Sequence, residues 1–233
     1  MFRDWLQQGL VLLGKNLLFW LMYCVVLYPL LALGSLSQML GIVVAVVCLF
    51  VGVGFAAYCD QAVGSVPVVR LSRIVKQCLP LAIIAGLAIM VCWFSFRVIA
   101  DLVNGQFSNI LHFFWQSDLL KVDLLSQPVQ LLAAKIYAVS MVTMMFSVLM
   151  LTTFGSWFSF PLMVFNNHRW SMAKTVGNQG TRKCQKAMSN LMLCLGVIMV
   201  LGLGLMPVLT PIGYIMTSIL MYVSYRQMFG LPF

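Results

Sequence analysis

Long apolar runs alternate with short polar segments along the whole chain. Six runs cover 17–34, 40–59, 79–100, 132–165, 189–208 and 211–225. A helix needs about 20 apolar residues to cross a bilayer, and these runs lack the alternation of outer-membrane barrel strands. The fourth run exceeds one crossing, so its helix is tilted, extends past the interface, or breaks near Gly155. The pattern predicts an all-α fold: one integral membrane domain over 1–233, a polytopic transmembrane helix bundle of about six spans.

Polar segments between the runs have the periodicity of amphipathic helices, which lie in the membrane interface. At 70–79, apolar residues recur at helical spacing, opposite Arg70, Arg73 and Lys76. A bend near Pro80 is expected to join this helix to the third span, because proline removes a backbone donor. We predict interfacial helices near 2–14, 70–79, 106–125 and 169–176, the last ended by the break Gly177-Asn178-Gln179-Gly180.

The connection at 102–130 is the long loop of the predicted outer side. Its apolar stripe contains Phe107, Ile110, Leu111, Phe114 and Trp115. Aromatic residues favour the membrane interface, so the stripe favours an anchor on the outer leaflet. A lid over a cavity is the alternative, since loops of this length are sometimes functional.

Lysine and arginine are distributed unevenly across the predicted membrane. With the N-terminus inside, eleven of the fourteen lie in inner segments. Positive residues favour the cytoplasmic side, so we expect both termini in the cytoplasm. Candidate contacts to anionic lipids are the inner basic residues Arg70, Arg73, Lys76, Lys174, Arg182, Lys183 and Lys186.

The composition excludes several classes of protein. The chain is 62% hydrophobic and 8% charged, whereas soluble chains carry roughly a quarter charged residues. Six spans leave no room for a soluble catalytic domain of ordinary size. The net charge of +9 lies between the hydrophobic runs, so we expect no nucleic-acid partner; the expected partners are membrane lipids and other membrane protein subunits.

Residues suited to catalysis or metal binding are scarce. The chain has no glutamate, and His112 and His168 fall on opposite predicted sides of the membrane. Metalloprotease, nucleophile-elbow and phosphate-loop motifs are absent. The seven cysteines include no Cys-x-x-Cys pair, and the methionines are best explained as packing residues. We therefore expect no enzymatic activity, no cofactor and no metal site.

Charged residues at the ends of the spans have a structural explanation. Arg97 and Asp101 are four residues apart on one predicted helix, so we expect a structural pair at the outer interface. An ion or substrate path is the alternative, because charges inside membranes often mark polar pathways. Asp60, at the inner end of the second span, is expected to pair with the basic segment 70–76.

The C-terminal sequence Tyr222-Val-Ser-Tyr-Arg-Gln-Met-Phe229 follows a basic segment with Trp170-Ser-Met-Ala-Lys and a last hairpin. These features resemble an uncharacterised family of proteobacterial six-span inner-membrane proteins that end in a Ser-Tyr-Arg-x-x-Phe-like motif. The resemblance implies a multi-pass protein of the bacterial inner (plasma) membrane and brings no catalytic residues. In that family the segment after the fourth span is a continuous helix, whereas the predicted break at 177–180 interrupts it here.

Two classes of function agree with these features. The first is a non-enzymatic accessory or assembly subunit of a larger membrane complex, favoured by the scarcity of polar residues within the spans. The alternative is a transporter or handler of lipids or hydrophobic solutes, in which the basic inner helices bind anionic headgroups. Each cation near such a surface contributes about 1 kcal/mol, but the same charges also follow from topology.

Overall fold

The computed structural model describes residues 1–34, 38–63, 71–105, 129–154, 156–204 and 210–230. Regular structure within these ranges is α-helical, as predicted. The helices are α1 (Phe2–Lys15), α2 (Leu17–Gly34), α3 (Gln38–Val63), α4 (Leu71–Val103), α5 (Val129–Phe154), α6 (Ser159–Asn166), α7 (Trp170–Lys183), α8 (Gln185–Gly204) and α9 (Thr210–Phe229). The predicted interfacial helix at 106–125 and the loop containing it lie outside the described residues, apart from the first few positions.

Two helices are long and apolar enough to cross a membrane: Met39–Gln61 within α3 and Ile74–Val103 within α4. Two further pairs pass the same test only when their helices are joined, α1 with α2 and α7 with α8. These pairs are bent by 87° and 96°, respectively. The described part of the chain therefore carries two to four candidate spans.

The bend between α1 and α2 lies at Asn16, whose backbone is not helical. The Asn16 side-chain amide donates to the Leu12 carbonyl at 3.4 Å, at the end of α1. The buried face of α1 consists of Trp5, Gly9 and Leu12, whereas Leu10 is half exposed. Helix α1 packs with this face against α9, so its apolar side is buried against the bundle.

The prediction that 70–79 is helical is confirmed from Leu71 onward, but this segment is not a helix of its own. Helix α4 is continuous from Leu71 to Val103, with Pro80 inside it, so the basic segment is the first part of a long helix and not a separate element. Proline is tolerated in membrane helices because neighbouring groups satisfy the freed backbone. The helix packs closely on α3: a Cβ added to Gly86 would lie 3.2 Å from the Val43 Cα.

The long fourth run divides into two helices, which is one of the three alternatives that its length left open. Helix α5 ends at Phe154 and α6 begins at Ser159. Helix α6 is followed by its C-cap residue, Asn167, which adopts a left-handed conformation with φ of 52°. Asparagine tolerates this conformation, and the His168 N–H caps the helix by bonding to the Leu162 carbonyl at 3.3 Å.

The predicted break at 177–180 is wrong: α7 runs without interruption to Lys183. Its glycines serve close packing. A Cβ on Gly177 would lie 2.9 Å from the Ser156 Cβ, and one on Gly180 would lie 2.7 Å from the Phe229 Cζ. The chain turns only at Cys184, between α7 and α8.

Candidate functional site

Helix α9 is the central element of the bundle. Every residue from Thr210 to Tyr225 is buried except Ile212. Small residues allow neighbouring helices to approach, as at Gly213, where an added Cβ would lie 3.2 Å from the Met144 Cε. The predicted sixth span is therefore a helix surrounded by protein.

Hydroxyl groups join this central region to neighbouring helices. Ser218 Oγ donates to the Leu49 carbonyl of α3 at 2.8 Å, and Tyr214 Oη donates to the Ser140 carbonyl of α5 at 2.9 Å. Tyr23 Oη of α2 donates to the Cys48 carbonyl at 2.5 Å. Each bond satisfies a hydroxyl that would otherwise be costly to bury.

A polar cluster joins the C-terminal ends of α3, α6 and α9; we call it the Asp60 cluster. It contains Asp60, Asn166, Tyr222, Tyr225 and Arg226. Asp60 accepts a hydrogen bond from Tyr222 Oη at 2.8 Å and pairs with an Arg226 guanidinium nitrogen at 2.5 Å. Tyr225 Oη donates to the Asn166 side-chain oxygen. The Asp60 side chain is 17% exposed, so its carboxylate is largely enclosed by Tyr222 and Arg226 of α9.

The C-terminal motif supplies most of the residues at this end of the bundle. Besides Tyr222, Tyr225 and Arg226, Ser224 Oγ accepts a hydrogen bond from Trp157 Nε1 at 2.9 Å. The Phe229 ring packs edge-on against Phe158, with centroids 5.4 Å apart. No role for these residues is evident from the motif alone. The available signal was polarity within a span, because such groups usually face the bundle interior.

The predicted pairing of Asp60 with the segment 70–76 is not found at Lys76, and the described partners of the carboxylate lie on α9. Among the described side chains, Tyr222 and Arg226 hold the carboxylate, and Lys76 is exposed. Arg70 and the side chain of Arg73 lie outside the described part.

The other predicted lipid contacts occupy exposed positions on α7 and at the start of α8. Lys174, Arg182 and Lys183 are exposed on α7, and Lys186 is exposed on α8. Burial on α7 is confined to Ala173, Gly177 and Gly180, so its basic side chains lie outside the buried stripe. These charges are exposed and enclose no ligand site among the described residues.

Arg97 and Asp101 form the expected i, i+4 ion pair near the end of α4. Arg97 Nε lies 3.9 Å from Asp101 Oδ2, which is beyond hydrogen-bonding distance. The two side chains are 35% and 13% exposed, so the pair is more buried than expected from the sequence.

An apolar cleft of about 290 Å³ opens between α4 and the α5–α6 pair. Its floor includes Phe50, whose ring stacks on Phe160 with centroids 3.8 Å apart. The α4 wall is formed by Leu81, Ile84, Ala85, Ala88, Ile89 and Cys92, and the remaining lining comes from Met150, Leu151, Met163 and Trp170. Such a lining suits a hydrocarbon and offers no group for covalent chemistry beyond the Cys92 thiol.

Among the described residues, no three His, Cys, Asp or Glu side chains converge in a way that would hold a metal ion. Comparison of the chain with protein-family models, with curated proteins and with solved structures gives no match. The polar cluster and the apolar cleft are therefore interpreted from their geometry alone.

Proposed function

We propose that this chain is a non-enzymatic, six-span protein of the bacterial inner membrane, with both termini cytoplasmic, and that it serves as an accessory or assembly subunit of a larger membrane complex. We also propose that the chain is related to the proteobacterial six-span family that its C-terminal motif resembles. In this arrangement α1 and α7 lie in the inner interface, and their near-right-angle bends from α2 and α8 support that orientation.

The use of polar side chains around α9 is the observation that carries the proposal. Tyr214, Ser218, Tyr222 and Tyr225 each bond to another helix, so these groups hold the bundle together. A transporter typically has polar groups and broken helices around a midplane site, whereas α9 is continuous. Hydrogen bonds of this kind between helices favour a structural role over a solute path.

The C-terminal ends of α3, α6 and α9 support placing the inner segments on one side of the membrane. Asp60 near the end of α3, Asn166 at the end of α6 and Arg226 near the end of α9 meet in one cluster. All three helix ends fall on the predicted cytoplasmic side, so the packing agrees with the six-span threading.

Surfaces for partner subunits are the outward faces of α2 and α8. On α2, Leu18, Met22 and Val25 are 76%, 64% and 72% exposed, and on α8 Leu193 is 69% exposed. Lipid alone satisfies such faces, so partner binding has to be tested directly.

Site-specific photo-crosslinking in intact membranes tests the subunit role. A photoreactive amino acid is placed at Val25 on α2 and at Leu193 on α8, with fully buried Leu49 as the matched control. The proposal predicts a protein adduct of one defined mass from at least one outward position, and the same partner in a gentle-detergent pull-down. The absence of protein adducts from both outward positions, with full incorporation, would contradict the subunit role.

A second candidate function, the handling of a lipid or hydrophobic solute, is favoured by the apolar cleft beside α4. Its test is a search for a co-purified lipid enriched above its share of the bulk membrane. Enrichment supports this candidate, and a bulk-like lipid composition contradicts it.

A further inference from the structure

The apolar cleft beside α4 has the length of one membrane leaflet. Its α4 wall runs from Leu81 to Cys92, which is about 16 Å at 1.5 Å per residue. The hydrocarbon core is about 30 Å thick, so the cleft covers roughly half of it. An acyl chain entering from one leaflet therefore fits along the wall.

The mouth of the cleft is marked by Trp170, the first residue of α7. This side chain lines the cleft and is 51% exposed. Tryptophan favours the boundary between hydrocarbon and headgroups. The cleft therefore begins at interfacial depth, where a phospholipid headgroup would lie.

One cationic side chain, that of Arg169, is adjacent in sequence to Trp170 at this mouth. Arg169, the N-cap residue of α7, is exposed and makes no side-chain capping bond. The first hydrogen bond of α7 joins the Ala173 N–H to the Arg169 carbonyl, so the N–H groups of residues 170–172 precede it. Helix N-termini attract phosphate through such groups and through the helix dipole.

We propose that the cleft binds one acyl chain of an anionic phospholipid, with the lipid phosphate at the start of α7 beside Arg169. The apolar wall selects the chain, and the cationic mouth selects the anionic headgroup. A transmembrane helix about 10 Å wide occupies roughly 1,200 Å³ over a length of about 16 Å, so it does not fit a cleft of about 290 Å³. This inference goes beyond the subunit role and does not depend on it, because a lipid can occupy the cleft without any protein partner.

Photolabelling of the purified full chain in phosphatidylethanolamine vesicles tests the proposal. The probes are phosphatidylglycerol and phosphatidylethanolamine with the same photoreactive acyl chain, and labelled peptides are mapped. We expect the phosphatidylglycerol probe to label the cleft segments 81–92 and 150–163 in excess over the other probe. Unlabelled phosphatidylglycerol should compete with this labelling, whereas glycerol phosphate, which has no acyl chain, should not.

Two variants with matched controls separate the cleft from its charged mouth. Ala88→Phe fills the cleft and should lower its labelling about tenfold or more, whereas Ala100→Phe, at an exposed position on the same helix, should not. Arg169→Gln should lower the preference for phosphatidylglycerol about fivefold, the equivalent of about 1 kcal/mol for one cation. Arg3→Gln, at an exposed position on α1, is the charge control.

Several outcomes would overturn the proposal. Equal labelling by the two probes in the unaltered chain, or no competition by unlabelled phosphatidylglycerol, would show ordinary contact with surrounding lipid; these readouts need no variant. Unchanged labelling in a folded Ala88→Phe protein would place the lipid elsewhere. If Ala88→Phe instead removed a crosslinked protein adduct in membranes and left lipid labelling intact, the cleft would be occupied by a partner protein. Crosslinking from Val25 and Leu193 is a separate readout, so failure of the subunit role is distinguishable from failure of this site.

Discussion

Tyr222 of α9 donates a hydrogen bond of 2.8 Å to the carboxylate of Asp60 on α3, across 162 residues of sequence. The same carboxylate pairs with Arg226, one turn further along α9. One acidic side chain thereby holds the last helix of the chain against the third.

Removal of the Tyr222 hydroxyl should destabilise the bundle. Tyr222→Phe removes a hydrogen bond to a charged group, so we expect a loss of about 1–3 kcal/mol in the free energy of unfolding. Unfolding in detergent is the measurement, and Tyr58→Phe is the control, since no hydrogen bond from the Tyr58 hydroxyl is found among the described residues. The control should change stability by less than about 0.5 kcal/mol.

A double-mutant cycle tests whether Asp60 is the group that Tyr222 stabilises. Asp60→Asn weakens the charge-assisted hydrogen bond and Tyr222→Phe removes it, so the two changes should be non-additive by about 1 kcal/mol. Strictly additive losses would show that Tyr222 acts through packing alone.

Two glycines in helices should respond to alanine with opposite signs. At Gly177 an added Cβ would lie 2.9 Å from the Ser156 Cβ, so Gly177→Ala should destabilise the protein by about 1–3 kcal/mol. At Gly196 on α8 no atom lies within 4 Å of the added Cβ, and Gly196→Ala should stabilise the helix by about 0.5–1 kcal/mol. Thermal unfolding in one detergent compares the two, and destabilisation of similar size at both sites would contradict the packing role of Gly177.

The Arg97–Asp101 pair should be structural and contribute little. The double change Arg97→Gln with Asp101→Asn should cost about 1 kcal/mol or less, because it removes both charges together and leaves none unpaired. Arg97→Gln by itself should cost more, since Asp101 is 13% exposed and would lose its cation. A folded double variant that lost partner binding or lipid binding would favour the alternative of a polar pathway.

Hydrophobic patterning identified most of the helices because their period and length are local properties of the chain. Helix α1 follows from such a local signal, whereas the division of the run 132–165 near Gly155 was one of three alternatives that its length left open. Glycine and proline were misleading, because they interrupt helices in water but also serve helix packing in membranes. Gly177 and Gly180 allow α7 to approach Ser156 and Phe229, and neither contact is visible from neighbouring residues.

The candidate site was less accessible to sequence analysis. Asp60 was identified as a charge that requires a partner, but its cation lies 166 residues away in the chain. Nearness in sequence suggested the basic segment 70–76, whereas folding brings the end of α9 to the end of α3. The apolar cleft had no signal at all, because its lining residues have the same composition as any lipid-facing surface.

The central claim is the proposed topology of the chain, which crosses the membrane six times and has both termini in the cytoplasm. Single cysteines are introduced at Ser117 and at Gln179, an exposed position on α7, in a variant without the seven native cysteines. A membrane-impermeant maleimide is applied to intact spheroplasts, and then again after permeabilisation as a control. The account predicts labelling at 117 in intact spheroplasts, and labelling at 179 only after permeabilisation. Labelling at 179 and protection at 117 would contradict the orientation, and labelling at both sites would contradict a single threading.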